Sequence, residues 1–276
     1  VSLPKLGTSG ESAVAGMASN IGRSFSDFNL VEQYYHYNKE ANLVEQYIYP
    51  NSNDASWSCF YAANHLNLSI KNADSQRLNV YQNILNVFSA LSYYNMVVFW
   101  GGVPFITDYN WYMSGNFAIA RTDEDIILNT LKETLKPAID YLDEKKNESL
   151  KDVNSYFFIS KDVARILLAD IYMYQGNYVD AEPLLHKVIE NGYYELDASN
   201  YNEKETISDL WSNGSGKETI FVTKHENSRT RTNISIPSLI PLMTYTDVVL
   251  SYAECLYKNG KAEAGNYLKK VTSAKG

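Results

Sequence analysis

From Leu78 to Trp100, apolar and aromatic side chains recur at Tyr81, Ile84, Leu85, Phe88, Leu91 and Tyr94. Residues three and four apart share one face of an α-helix, so this spacing predicts a helix with a single buried stripe. Gly101-Gly102 and Pro104 break the run, as helix terminators do. A weaker stripe over Trp57 to Asn72 is carried by Trp57, Phe60, Tyr61 and Leu68, with polar Asn64 as its flaw. Another helix opens at Thr122, a candidate N-cap. Asp123, Glu124 and Asp125 in its first turn complement the positive end of the helix dipole. Its core face is Ile127, Leu131, Leu135, Ala138 and Leu142, and Pro137 within that pattern predicts a kink or a restart.

After a polar linker, Glu144 to Asn154, the pattern predicts a helix over Ser160 to Gln175, closed by Gly176. A second follows over Tyr178 to Glu190, closed by Gly192. Pro183 is expected near its first turn, where a missing N–H costs little. Thr219 to Thr223 clusters β-branched residues around Phe221 and reads as a short strand, and Lys224 to Pro241 reads as loop. Thr244 to Asn259 is a helix with its face at Tyr245, Val248, Val249, Tyr252 and Leu256. Gly260 ends it, and Ala262 to Val271 begins the next.

Two of these segments match each other. Ala169 to Gly176 (ADIYMYQG) lies on Ala253 to Gly260 (AECLYKNG) at an offset of 84 residues, with Leu167 set against Leu250 and Leu184 against Leu268. In the first copy Leu168, Ala169, Tyr172, Gly176, Tyr178, Ala181 and Leu185 fit the tetratricopeptide pattern of paired antiparallel helices. The second copy is weaker, because Gly265 stands in place of the Ala. Phe88 to Tyr94 marks a third, degenerate unit. One such unit cannot bury its apolar face alone, so three or more should stack, and the insertions between them should carry function. The expected fold class is mostly α: tetratricopeptide-like helical repeats with inserted loops and a few short strands. Residues 1–276 are expected to form one domain, with 1–56 an irregular N-terminal segment and 57–272 the helical-repeat scaffold.

Composition narrows the function. The chain has 276 residues, 45% of them hydrophobic, and a net charge of −8. That composition suits a packed globular chain, and the acidic balance lacks the footprint of a nucleic-acid binder. No apolar run approaches the roughly 20 residues of a membrane-spanning helix. Val1 is not Met and no signal peptide follows it, so a trimmed or processed N-terminus is expected. Cys59 and Cys255 each sit in an apolar helical pattern and are expected to be buried free thiols.

No catalytic signature is present: H-E-x-x-H, G-x-S-x-G and G-x-G-x-x-G are all missing. The run Asn213 to Thr219 (NGSGKET) fails as a phosphate loop, since Trp211 stands where the first Gly belongs and Glu218 follows Lys217. His36, His65, His186 and His225 share no spacing, and nothing singles out a catalytic pair of carboxylates. No metal site and no cofactor are expected.

What remains is aromatic. The chain holds 23 Tyr and 4 Trp, and several fall beside polar stretches. Tyr49 and Trp57 flank Pro50 to Ser56; Tyr109, Trp111 and Tyr112 sit with Asp108, Asn110 and Asn116; Trp211 adjoins the Asn213-Gly214 turn. Flat aromatic faces stack on sugar C–H groups while neighbouring amides and carboxylates bond hydroxyls. Trp111, Tyr109, Tyr112, Trp57, Tyr49 and Trp211 are therefore the candidate ligand-binding residues.

The ordered motifs resemble those of the RagB/SusD-like proteins. Ser92 to Thr107 (SYYNMVVFWGGVPFIT) is similar to that family's A-x-x-Y-x-x-L-V-x-x-[WYF]-G-x-V-P-[LF]-[IV]-T segment. Arg121 to Ile127 and Leu135 to Leu142 resemble its next helix, and Lys161 to Tyr178 its strongest tetratricopeptide unit. Glu218 to Phe221 (ETIF) and Pro241 to Leu256 resemble its later strand and repeat. The resemblance implies a nonenzymatic lipoprotein on the surface of the outer membrane. Such a protein captures glycan or oligosaccharide and delivers it to a SusC-like TonB-dependent transporter, its repeats facing the transporter and its inserted loops forming the ligand site. The lipid-bearing Cys is not in this chain. Only Lys224 to Pro241 stands where the family inserts a large variable segment, so a reduced site, a non-glycan ligand or an incomplete chain is expected. The alternatives are a helical-repeat scaffold for a protein or peptide partner, and a glycoside hydrolase.

Overall fold

A computed structural model describes residues 75–105, 120–142, 159–196, 218–224 and 239–275. The expected helix over Trp57 to Asn72 and the linker Glu144 to Asn154 lie outside them. The chain divides into two compact units, Val1–Leu142 and Asp143–Gly276.

In the first unit, helix α1 (Ser75–Trp100) packs on helix α2 (Glu124–Tyr141). Of the predicted stripe on α1, Ile84, Phe88 and Leu91 are buried and Tyr94 is half-buried, and Val87, Met96 and Val97 are buried beside them. The predicted face of α2, Ile127, Leu131, Leu135, Ala138 and Leu142, is buried with Leu128 added. Gly101, at φ +67°, turns the chain off the end of α1, and its N–H still donates to Val97 O at 2.8 Å. Two expectations change. Asp123, not Thr122, caps α2, accepting the Asp125 N–H at 2.9 Å. Thr122 instead pairs with Val103. The helix also runs through Pro137 without restarting. The ring sits on the exposed side and removes only one backbone donor.

The second unit holds α3 (Lys161–Tyr174), α4 (Tyr178–Glu190), strands β1 (Thr219–Lys224) and β2 (Leu239–Thr244), α5 (Tyr245–Lys258) and α6 (Ala264–Lys275). Successive helices pack in the order α3, α4, α5, α6. Helix α3 is the most enclosed: Val163, Ala164, Ile166, Leu167, Leu168, Ala169 and Ile171 are all buried. Pro183 falls at the sixth residue of α4, beyond the first turn, so its ring does remove one intrahelical bond. The antiparallel ribbon pairs Phe221 with Met243 and Lys224 with Leu239. The end of the expected loop, Leu239 to Pro241, is thus strand. Pro241 hides it, since Pro is a poor strand signal. Here it lies beside a register shift, where such a residue is tolerated.

The internal repeat is a structural one. N-caps Ser160 and Thr244 and left-handed Gly176 and Gly260 all stand 84 residues apart. So do the closing bonds, Asn177 N–H to Tyr172 O and Lys261 N–H to Leu256 O, both 2.8 Å. In this register Leu167 matches Ser251. Leu250 is 39% exposed and is not its counterpart. The connection is longer in the copy, with five residues between α5 and α6 against three between α3 and α4. Ala264 and Val271 are buried, as Ala181 and Val188 are, whereas Leu268 is 48% exposed and Leu185 fully buried; Ala264 fills the small-residue position assigned from sequence to Gly265.

Candidate functional site

The six candidate aromatics, Tyr49, Trp57, Tyr109, Trp111, Tyr112 and Trp211, all lie outside the described residues. The structure does describe the anchors of the segment that carries three of them. Val103, fully buried, forms an isolated bridge with Thr122, whose N–H donates to Val103 O at 2.9 Å. The backbones approach so closely that a Cβ on Gly102 would stand 2.4 Å from Thr122 O. Phe105 packs edge-on against buried Tyr93, with ring centroids 4.8 Å apart. The chain between Phe105 and Ala120, bearing Tyr109, Trp111 and Tyr112, is thereby tethered at both ends to capped helix termini.

In the second unit the polar groups are spent on holding helices together. Asp162, fully buried in the first turn of α3, accepts from Arg165 Nη1 at 2.8 Å through Oδ1. Its Oδ2 accepts from Asn191 Nδ2 at 2.7 Å and Tyr194 OH at 3.2 Å. Both oxygens are occupied, so this carboxylate closes the α3–α4 hairpin and is not poised as a base. Sequence reasoning missed it; the only signal was the Asp–Arg spacing of three on one helix face.

The junction of α4 with α5 is a belt of amphipathic contacts. Asn259 Nδ2 donates to Tyr178 O at 3.1 Å and to Glu182 Oε2 at 2.8 Å, and Lys261 pairs with Glu182. Tyr178 OH donates to Glu254 at 3.2 Å while Lys258 Nζ lies 5.5 Å from the Tyr178 ring centroid. His186 stacks on Tyr252, which meets Tyr267 edge-on. Partial burial would raise the pKa of Glu182, but the bonds from Lys261 and Asn259 outweigh it and hold the carboxyl below its ordinary value. Burial, then the neighbouring Tyr267, pushes the Tyr252 phenol up to about 12.

Cys255 is buried and free, as expected from the sequence. Burial, then the nearby Glu254 charge, pushes its thiol up to about 12, so it is unreactive. Asp170 on α3 is the outlier: burial, then the nearby Asp247 charge, pushes it up to about 7. Among the described residues no group of three or more His, Cys, Asp or Glu is arranged to hold a metal ion. None of their helices is long and apolar enough to cross a membrane.

No family model matches the sequence, and no curated protein matches it. Solved structures do. A SusD superfamily protein from Bacteroides thetaiotaomicron superimposes with a TM-score of 0.73 at 15% identity, over 97% of this chain and 80% of that one. A SusD-like carbohydrate binding protein from Bacteroides fragilis gives 0.63 at 14% identity, over 83% of this chain and 64% of that one. Surface glycan-binding protein A from Bacteroides thetaiotaomicron, solved in complex with laminarihexaose, gives 0.63 at 12% identity, over 83% and 68%.

Proposed function

We propose that this chain, which has the SusD-like fold, is a nonenzymatic surface protein that captures an oligosaccharide by aromatic stacking. It then presents the ligand to a TonB-dependent outer-membrane transporter. The observation that carries the reading is the match over nearly the whole chain to the SusD fold, one of whose structures holds laminarihexaose. The tethered segment with Tyr109, Trp111 and Tyr112 supports it, because two fixed ends limit the entropy lost when its aromatics meet a ligand. Trp57, Tyr49 and Trp211 are further stacking candidates. Attachment to the outer membrane through an N-terminal lipid and a SusC-like partner belong to the same reading, by analogy of fold.

A titration of intrinsic tryptophan fluorescence with laminarihexaose and a panel of plant, host and microbial oligosaccharides tests it. Saturable quenching by at least one glycan, with no reducing ends released, is expected. Release of reducing ends would convert the reading to a glycoside hydrolase. A flat response across the panel would favour the second reading, a helical-repeat scaffold for a protein. That second reading rests on Val179 and Tyr257, which are 70% and 74% exposed near the turns of the two hairpins.

A further inference from the structure

Two Asn-Gly steps in the second unit stand at helix C-termini. Asn191 is the C-cap of α4 and Asn259 the C-cap of α5, and the glycines that follow have φ of +69° and +72°. Each side-chain amide donates to a carboxylate on another helix: Asn191 Nδ2 to Asp162 Oδ2 at 2.7 Å, Asn259 Nδ2 to Glu182 Oε2 at 2.8 Å. Asn-Gly is the pair most open to spontaneous deamidation, because glycine has no side chain to hinder attack by its own backbone nitrogen.

The two steps differ where the chemistry begins. The Gly260 N–H donates to Tyr257 O at 3.0 Å, whereas the Gly192 N–H has no backbone acceptor among the described residues. Asn191 Oδ1 also accepts the Tyr193 N–H at 3.0 Å, which polarises the amide carbonyl and stabilises negative charge that develops on that oxygen. Gly192 is exposed, so water reaches the product.

We infer that Asn191 is a self-modifying site, whose side-chain amide closes the α3–α4 hairpin and is lost by reaction with the Gly192 nitrogen. The Gly192 nitrogen bonds to Asn191 Cγ and gives up its proton, the Cγ–Nδ2 bond breaks, and ammonia leaves. Water then opens the cyclic imide at either carbonyl, giving aspartate or isoaspartate. The balance is one water consumed and one ammonia released, with no oxidant or enzyme. The product sets a second carboxylate against Asp162, which is fully buried beside Arg165. The hairpin closure becomes a like-charge contact. At Asn259 the same change meets Glu182 with Lys261 already on it, and the perturbation is smaller.

The whole chain, incubated at mildly alkaline pH and physiological temperature and mapped with two proteases by mass spectrometry, tests this. In the folded chain Asn191 should convert several-fold faster than Asn259, while in urea the two should convert at similar rates. Ageing should lower Tm, and Asn191→Gln, which keeps an amide but cyclises far more slowly, should abolish that loss. Asn191→Asp should lower Tm, and adding Asp162→Asn should restore much of it. Equal rates in the folded chain, faster loss at Asn259, or an Asn191→Gln chain that ages like the wild type would each overturn the inference.

Discussion

Two carboxylates of α3 differ: Asp162 is fully buried and fully bonded, and Asp170 resists ionisation. Asp162 is fully buried with both oxygens engaged, so Asp162→Ala removes the acceptor shared by Arg165, Asn191 and Tyr194. Breaking such a buried charged network should destabilise the chain by about 3 kcal/mol, read as a lower urea midpoint at unchanged slope. A loss of about 0.5 kcal/mol, ordinary for a surface site, would contradict it. Asp170 carries the pH dependence. Its folded pKa of about 7 lies above the ordinary 3.8, so between those values the folded chain keeps a proton that the unfolded chain releases. This group therefore favours the fold most at the acid end of that window, and its contribution falls as pH rises to about 7. Asp170→Asn should flatten that slope in a plot of Tm against pH; an unchanged slope would place the titration elsewhere.

Helix ends decide where the elements stop, and they were the most legible features of the sequence. Ser160, Gly176, Gly192, Thr244 and Gly260 all sit at the boundaries their residue types predict. Boundaries failed where a tertiary contact took the expected capping residue. Thr122 pairs with Val103, leaving Asp123 to cap α2. Strand β2 was illegible because Pro241 masks it and its partner lies across a long connection. The glycines rank themselves by physical cause. At Gly176, with open space around a would-be Cβ, alanine meets only the left-handed backbone and should cost about 1 kcal/mol. At Gly102 the Cβ would collide with Thr122 O, so Gly102→Ala should cost more, up to about 3 kcal/mol. Thermal unfolding of the two variants in parallel checks the order. Thr244→Ala, which removes a reciprocal capping box at the start of α5, should cost about 1 kcal/mol in the same assay.

Across the whole molecule, helical periodicity and the offset between Ala169 and Ala253 were enough to reach tetratricopeptide-like helical repeats, while the resemblance to the SusD-like fold rested on the ordered motifs; one solved structure of that fold matches over 97% of the chain. A repeat is legible because the same apolar positions must be buried twice. Its register was not fully legible: the longer connection into α6 is silent in composition, and it is Ala264 rather than Gly265 that the structure buries. The ligand site is less legible still. Stacking aromatics have no fixed spacing, so chain order alone does not select among Tyr109, Trp111, Tyr112, Tyr49, Trp57 and Trp211. The most direct test is calorimetry with laminarihexaose and the oligosaccharide panel on the wild-type chain beside Trp111→Ala. Enthalpy-driven binding to a glycan, weakened about tenfold or more in the variant, a loss of about 1.4 kcal/mol, is the predicted result. Binding that survives Trp111→Ala unchanged would move the site toward Trp57 or Trp211, and no binding to any glycan would contradict glycan capture itself.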